Sequence, residues 1–190
     1  MRLLIATRNR DKYEIVRRMV EAVSSDAHSV FLGDTSIEGD VVEAGTIAER
    51  ATQKAAYFMA RLEWSAAPDE FDAVLAIDDG LSVDGSEATP NSKELTDRIL
   101  GAEWTPGTAM AVVRAYALIK RGEVPRVEVT TLPFRFLGNP AQVERKPGEY
   151  PLSRVLAPEG NNTAVSDMAR QDEDRFNLEH SASALVRLLS

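Results

Sequence analysis

The sequence predicts a single α/β domain over residues 1–190, with at least part of its sheet parallel. Short apolar runs, such as residues 3–6 and 73–77, have the length and composition of buried strands. Between such runs lie longer segments whose apolar residues recur at helical spacing, and turn residues mark the boundaries. Strands that alternate with helices pack into a sheet covered by helices, and this pattern is the basis of the predicted fold class.

Two helices are predicted in the first half of the chain. The strand at residues 3–6 leads into a basic loop, and apolar side chains at helical spacing then predict a helix that begins near Arg10. A second strand is expected at residues 29–32. Another apolar stripe predicts a helix from Thr46 to about Glu63. Its polar residues are explained by default as a solvated face, and they include Glu49, Arg50, Gln53 and Lys54.

The buried strand at residues 73–77 is followed by Asp78, Asp79 and Gly80. Neighbouring side chains of an extended strand point to opposite sides, so the two aspartates need either a turn, which Gly80 would supply, or two different roles. The remaining elements are expected as a short helix at 93–100, a largely buried helix at 109–121, an alternating strand at 126–137, a strand at 152–156, and a terminal helix containing Ala184, Leu185 and Leu188. Residues 64–70 and 142–150 are predicted connections.

Composition excludes several classes of function. The formal net charge of -8 argues against a general nucleic-acid-binding surface and against binding to an anionic membrane. The absence of cysteine excludes thiol catalysis, thiolate metal sites and disulfides. Only His28 and His180 could serve in a histidine site, so oxygen ligands and Mg²⁺ or Mn²⁺ are the expected choice for any metal. Without an apolar segment of signal-peptide or membrane-span length, a cytoplasmic protein is expected.

Two stretches are candidates for chemistry. The strand–loop–helix unit at residues 3–23 aims the free N–H groups of a helix start at its loop, where Thr7 and Asn9 add short donors and Lys12 adds charge. It is not a Walker loop, and a capped helix start with solvated basic residues explains it equally well. The pair Asp78-Asp79 could hold a hard cation or accept a proton, or it could be a polar turn.

Four collinear blocks of the chain resemble the inosine triphosphate pyrophosphatase-like family of house-cleaning enzymes. Residues 6–14 are similar to its opening motif A-T-G-N-x-x-K-x-x-E, and residues 43–55 to E-T-G-x-T-F-x-E-N-A-x-x-K-A with one residue fewer. Residues 76–84 resemble A-D-D-S-G-L-x-V-D. Residues 158–160 and 180–185 resemble the C-terminal P-E-G and S-H-R-x-x-A-L. The blocks span nearly the whole chain in the family's order.

The chain also departs from the family's motifs. Arg8 stands at a glycine, Ile77 at the first aspartate of the pair, Asp79 at a serine, and Arg50 at an asparagine. The aromatic segment near residues 150–151 is disrupted, and the Ser-His-Arg triplet reads Glu179-His180-Ser181. The last two blocks hold the purine base in the family, so the resemblance does not define base specificity.

The resemblance implies an elongated mixed central sheet flanked by helices, with a nucleotide cleft between two lobes, in a homodimer. It implies hydrolysis of nucleoside triphosphates to a nucleoside monophosphate and pyrophosphate. The implied substrates are aberrant purine nucleotides such as ITP, dITP and XTP, and the implied cofactor is Mg²⁺ or Mn²⁺. The implied catalytic residues are Asp78, as the base that orients water, and Lys12. The implied metal ligands are Glu49, Asp78 and Asp79, and the implied substrate-binding residues are Thr7, Asn9, Lys12, Lys54 and His180. The alternative is a catalytically impaired nucleotide-binding or regulatory protein on the same fold.

Overall fold

The computed structural model describes residues 1–63, 70–90, 104–138 and 152–190. Its strands and helices follow one another as β1 (Arg2–Ala6), α1 (Arg10–Val23), β2 (His28–Phe31), α2 (Ile47–Glu63), β3 (Ala73–Val83), β4 (Ala109–Lys120), β5 (Arg126–Phe136), β6 (Leu156–Pro158) and α3 (Arg170–Leu189). The predicted α/β class is therefore confirmed, and so are the helices that were expected from Arg10 and from Thr46.

The six described strands form one mixed sheet in the order β2-β1-β3-β4-β5-β6. Strand β1 pairs in parallel with both β2 and β3, whereas β6 pairs with β5 in the antiparallel direction. Helix α1 connects β1 to β2, as expected for a crossover between parallel strands. The prediction that part of the sheet is parallel is thus confirmed for its β2-β1-β3 side.

The chain divides into two compact units. The first comprises Met1–Asp78, Ala115–Thr130 and Ser181–Ser190, and the second comprises Asp79–Arg114 and Thr131–His180. In the first unit, Leu3, Leu4 and Ile5 of β1 are fully buried, as the continuous apolar run predicts for an interior strand. Among the described residues, the second unit has a hydrophobic cluster that includes Leu81, Met110, Val112, Leu132, Phe134, Phe136, Leu152, Val155 and Leu156. The single domain expected over residues 1–190 stays a prediction.

The segment expected to form a buried helix at residues 109–121 is instead strand β4. It is buried as predicted, but its first residues alternate, with Met110, Val112 and Arg114 buried and the residues between them more exposed. A long apolar run suits a buried helix and a buried strand equally well, and periodicity alone cannot separate them. The valines, Tyr116 and Ile119 favour the strand because β-branched and aromatic side chains pack well on a pleated surface.

Of the two alternatives for the aspartate pair, the turn at Gly80 is wrong, since β3 continues through Asp78, Asp79 and Gly80 to Val83. The chain turns later, at Asp84 and Gly85, where φ is 47° and 75°. The Asp-Gly dipeptide is a strong turn signal because both of its residues tolerate a positive φ. A single glycine such as Gly80 can remain inside a strand, so it is the weaker signal.

Smaller differences concern the C-terminal part. Residues 152–155 form turns, and the expected strand begins only at Leu156. Helix α3 starts at Arg170, well before the apolar positions from which it was predicted. Its first turns are polar and exposed, so they carry no apolar stripe from which a helix could be predicted. The expected helix at 93–100 lies outside the described residues, as do nearly all of the connection at 64–70 and all of that at 142–150. Within the described ranges, none of the helices combines the length and the apolar character needed to cross a membrane.

Candidate functional site

Asp78 lies at the centre of the candidate site. It is the last residue of the first unit, it belongs to β3, and it is 7% exposed. The neighbouring strand β1 ends at Ala6, which is paired with Ala76. The loop that follows β1 therefore begins beside the part of β3 that carries Asp78. In a parallel α/β sheet, this edge beyond the carboxyl ends of the strands is where ligands usually bind.

Four charged side chains of the first unit form a closed set of ion pairs, called here the Asp78 cluster: Glu43, Arg50, Lys54 and Asp78. Arg50 donates from Nε to Oδ2 of Asp78 at 2.7 Å and from Nη2 to Oε2 of Glu43 at 2.8 Å. Lys54 Nζ lies 2.8 Å from Oε1 of Glu43 and 3.5 Å from Oδ1 of Asp78. Two carboxylates and two cations cancel in formal charge, so these mostly buried side chains leave no net charge without a partner of opposite sign.

Helix α2 brings both cations of the cluster to one place. Arg50 and Lys54 are four residues apart, so they lie on the same side of the helix, one turn from each other. Lys54 also donates to the carbonyl oxygen of Ile77 at 3.3 Å, which ties the helix directly to β3. The charged face of α2 is therefore only partly solvated, contrary to the default explanation. The side chains of Arg50 and Lys54 are 23% and 16% exposed.

The start of α2 is fixed by Thr46 and Glu49. Oε2 of Glu49 accepts hydrogen bonds from the backbone N–H of Thr46 at 2.7 Å and from its hydroxyl at 2.9 Å, and the Glu49 N–H donates back to that hydroxyl at 3.3 Å. This reciprocal arrangement is a capping box. The two donors of Thr46, the backbone N–H first, lower the pKa of Glu49 below 4.5. Glu49, predicted as a metal ligand, thus has a structural role in the described geometry.

The segment before α2 holds Glu43 in the cluster. Gln53 accepts from the backbone N–H of Ala44 at 3.0 Å and donates to its carbonyl oxygen at 3.1 Å. Arg50 Nη1 also donates to the carbonyl oxygen of Glu43 at 3.3 Å. Gly45 follows with φ of 87°, and a Cβ atom there would lie 2.3 Å from Oε2 of Glu49. The glycine is required both for the backbone turn and for the approach of the capping carboxylate.

The loop after β1 is a capped helix start. Asn9 Oδ1 accepts from the Lys12 N–H at 3.1 Å and is the N-cap of α1, while Thr7 Oγ1 accepts from the Asn9 N–H at 3.2 Å. Arg8 donates to the carbonyl oxygen of Gly39 at 3.0 Å and lies 3.8 Å from a carboxylate oxygen of Asp40. Thr7 and Asn9 therefore serve the loop itself as acceptors. Their binding of phosphate, and that of Lys12, stays a prediction.

Asp79, although adjacent to Asp78 in β3, belongs to the second unit and has a different partner. Nε of Arg114 donates to Oδ1 of Asp79 at 2.8 Å, and Nη1 of Arg114 donates to Oδ1 of Asn177 at 3.1 Å. Arg114 and Asn177 are 8% and 6% exposed, so this is a buried polar connection between β3, β4 and α3. Of the two alternatives for the aspartate pair, the structure thus has two different roles rather than a turn.

His180 is held within α3. Its Nδ1 lies 2.9 Å from the carbonyl oxygen of Phe176, and because a carbonyl can only accept, Nδ1 carries the proton in this contact. The imidazole also packs on the Phe176 ring at a centroid distance of 4.6 Å. These contacts explain His180 as a satisfied structural residue, and its predicted role in substrate binding remains untested.

The described residues do not fit a metal centre built by the chain. Among them, no group of three or more His, Cys, Asp or Glu side chains could hold a metal ion. Asp78 and Asp79 are paired with arginines, and Glu49 is bonded to Thr46. Glu49, Asp78 and Asp79 as a ligand set therefore stay a prediction from the resemblance alone.

Sequence reasoning missed Glu43 and underestimated Arg50. Glu43 lies in a segment without helical or strand periodicity, so nothing in its spacing predicts a partner. For Arg50, the signal was present: it stands where the family's motif has an uncharged asparagine, and it shares a helix side with Lys54. A second positive charge on that side indicates a second negative charge nearby, and Glu43 supplies it.

Neither a protein-family model nor a curated protein sequence matches the chain. Its structure is similar to that of a nucleoside-triphosphatase / dITP/XTP pyrophosphatase from Mycobacterium abscessus, with a TM-score of 0.63 and 20% identity over 97% of each chain. It is also similar to the Ham1 protein of Staphylococcus aureus, with a TM-score of 0.66 and 15% identity, over 100% of this chain and 98% of the other. A HAM1 protein from Coxiella burnetii gives a TM-score of 0.65 at 14% identity, with the same coverage of both chains. The chain therefore has the fold of the inosine triphosphate pyrophosphatase-like family, as its four motifs predicted.

Proposed function

We propose that the chain is a nucleoside triphosphate pyrophosphohydrolase, which cleaves the bond between the α- and β-phosphates and releases a nucleoside monophosphate and pyrophosphate. Aberrant purine nucleotides such as ITP, dITP and XTP are the proposed substrates. The observation that carries the proposal is the position of Asp78, a carboxylate that is held by two cations and lies in β3 two residues past Ala76, the partner of the last residue of β1. The shared fold and the name of the Mycobacterium abscessus protein support the choice of reaction.

In this proposal Asp78 orients the attacking water and accepts its proton. Its Oδ2 is fixed by Arg50 and its Oδ1 by Lys54, so the carboxylate has a defined direction before substrate binds. Pre-set orientation of a base removes part of the entropic cost of reaching the transition state. The proposal gives Lys12, in the first turn of α1, and Lys54 the role of neutralising phosphate charge, together with the N–H groups at the helix start.

Mg²⁺ or Mn²⁺ belongs to the proposal as the ion that accompanies the triphosphate, where it neutralises phosphate charge when bound. The other roles in the proposed reaction belong to residues of the chain. Arg50 and Lys54 hold Asp78 and Glu43, and the Lys12 segment meets the phosphates. No step is assigned to an ion held by protein ligands, because the described carboxylates are already engaged with cations or hydrogen-bond donors.

The decisive experiment is pyrophosphate release from a panel of natural and deaminated nucleoside triphosphates in the presence of Mg²⁺. Wild-type protein is compared with Asp78→Asn and with Asp172→Asn, a matched control at an exposed ion pair with Arg175 on α3. We expect release by wild type and the control, and loss of at least about 100-fold in Asp78→Asn, the usual size of a lost general base. Equal activity of Asp78→Asn and wild type would reject the assignment.

A second candidate, a nucleotide-binding protein without turnover, is favoured by one observation. Arg50 binds Asp78 directly, where the family's motif has an asparagine that carries no charge. An ion-paired carboxylate can be retained for folding alone. Raised melting temperature with nucleoside triphosphates, but no pyrophosphate release from any of them, would select this alternative.

Homodimer formation and a cytoplasmic location complete the proposal, and both follow only from the resemblance and the composition. Size-exclusion chromatography with light scattering tests the first of them directly.

A further inference from the structure

We infer that Arg50, with Lys54, takes the place of a protein-held divalent cation at Asp78, so that a divalent ion reaches this site only together with the triphosphate. The catalytic meaning of this inference rests on the proposed function. The ion pairs themselves do not, and the test below is chosen so that the two can fail separately.

Each of the four carboxylate oxygens in the Asp78 cluster is matched with a cation. Oδ2 of Asp78 and Oε2 of Glu43 meet Arg50 at 2.7 and 2.8 Å. Oδ1 of Asp78 and Oε1 of Glu43 meet Lys54 at 3.5 and 2.8 Å. The two cations thus bridge the two carboxylates, which is the arrangement that a bridging metal ion would otherwise provide.

The charge balance makes a further cation unfavourable. With two positive and two negative groups, the cluster is neutral before any ion binds. A divalent ion placed on Asp78 would lie within a few ångströms of the Arg50 guanidinium and the Lys54 ammonium, whose positive charges would repel it. The partial burial of these side chains, 10% exposed for Asp78 and 16% for Glu43, leaves little water to screen that repulsion.

Arginine is suited to this role, and the asparagine of the family's motif is not. The guanidinium presents several N–H donors in a rigid fork, so it can bind two carboxylates at once, and it keeps its charge at every accessible pH. An asparagine side chain is shorter and neutral. Among the described residues it would leave Lys54 as the one positive partner of Glu43 and Asp78, and hence a net negative charge that attracts a metal ion.

The experiment measures Mn²⁺ binding without nucleotide, by the electron paramagnetic resonance signal of free Mn²⁺, and needs no enzymatic activity. Wild type is compared with Asp78→Asn, Arg50→Gln, Arg50→Lys and the double variant Arg50→Gln/Asp78→Asn. Arg187→Gln is the matched control, because it removes an arginine from the exposed pair with Glu128. Circular dichroism establishes that each variant is folded.

We expect no Asp78-dependent Mn²⁺ site in wild type, Arg50→Lys or Arg187→Gln. Arg50→Gln should bind Mn²⁺ about tenfold or more tightly than wild type, and the double variant should lose that gain. Wild-type binding that Asp78→Asn removes would overturn the inference, and so would a folded Arg50→Gln that gains nothing. If Arg50→Gln does not fold, the comparison of wild type with Asp78→Asn still decides. If Mn²⁺ binding is as expected but no pyrophosphate is released, the proposed function is rejected. The inference that Arg50 and Lys54 replace a divalent ion at Asp78 is then still supported.

Discussion

Asp78 and Asp79 are consecutive residues of β3, yet each accepts a hydrogen bond from a different arginine, Arg50 of α2 and Arg114 of β4. The alternation of side chains along an extended strand sends the two carboxylates to opposite sides. Asp78 joins a cluster beside the first loop, whereas Asp79 joins a buried connection in the second unit. The contacts of Asp79 are therefore structural, and only Asp78 enters the proposed reaction.

This assignment predicts that two chemically identical substitutions lower the stability by different amounts. Asp79→Asn removes the charge from a pair whose side chains are 14% and 10% exposed, and it should lower the free energy of unfolding by about 3 kcal/mol. Asp78→Asn leaves Arg50 and Lys54 paired with Glu43, so its cost should be about 1–2 kcal/mol. Urea unfolding measures both values, and a larger loss of stability in Asp78→Asn than in Asp79→Asn would contradict the assignment.

The second prediction concerns the first turn of α1. If Lys12 meets the phosphates, Lys12→Ala should weaken binding of a nucleoside triphosphate by about tenfold, and binding of the monophosphate by clearly less, because the triphosphate carries more negative charge. Isothermal calorimetry with both ligands gives the two affinities.

Lys120→Ala is the matched control for Lys12→Ala. Lys120 belongs to the same unit but contacts the carbonyl oxygen of Ser190 at the end of the chain. Its substitution should leave both affinities unchanged. Equal losses of affinity for the triphosphate and the monophosphate in Lys12→Ala would show that Lys12 does not bind the β- and γ-phosphates.

The sequence predicted helices α1 and α2 because their apolar stripes repeat over several turns, and the loop at the end of β1 because a polar segment follows a buried strand. It was wrong at residues 109–121, where it predicted a helix and the chain forms β4, because a long apolar run suits either element. The partners of Asp78 were beyond reach for a different reason. That Arg50 and Lys54 share a helix side follows from their spacing, but that this side faces Asp78 depends on how α2 packs, and the place of Glu43 depends on an irregular segment.

The third prediction is a pH dependence of the capping box. Glu49 has a pKa below 4.5 in the folded protein because the Thr46 N–H and hydroxyl donate to the ionised carboxylate. A lowered folded pKa means that this contribution to stability is present above pH 4.5 and is lost as the pH falls through the lowered value. Glu49→Gln, which can still accept a hydrogen bond but does not ionise, should be less stable than wild type at about pH 7, and the difference should disappear as the pH falls through the lowered pKa of Glu49.

Urea midpoints of wild type and Glu49→Gln at a series of pH values test the dependence. The comparison has to be made between the two proteins, since Glu128 also has a lowered pKa, through its hydrogen bond from Arg187, and adds its own loss of stability on acidification. That second loss is common to both proteins and cancels in the difference. A gap that stays constant across the series would show that the charge of Glu49 contributes nothing to the cap.

The last prediction uses two glycines with nearly the same backbone conformation. Gly45 and Gly160 have φ of 87° and 81°, so alanine at either position is strained by about 1 kcal/mol. A Cβ at Gly160 meets nothing within 4 Å, whereas one at Gly45 would lie 2.3 Å from Oε2 of Glu49. Glu49 must then move away from Thr46, so Gly45→Ala should be more destabilising than Gly160→Ala. In a Glu49→Ala background this extra cost should disappear, because there is no longer a carboxylate to displace. Urea unfolding of Gly45→Ala and Gly160→Ala, each alone and each combined with Glu49→Ala, measures the extra cost. An extra cost that persists in the Glu49→Ala background would show that the strain lies in the backbone and not in the cap.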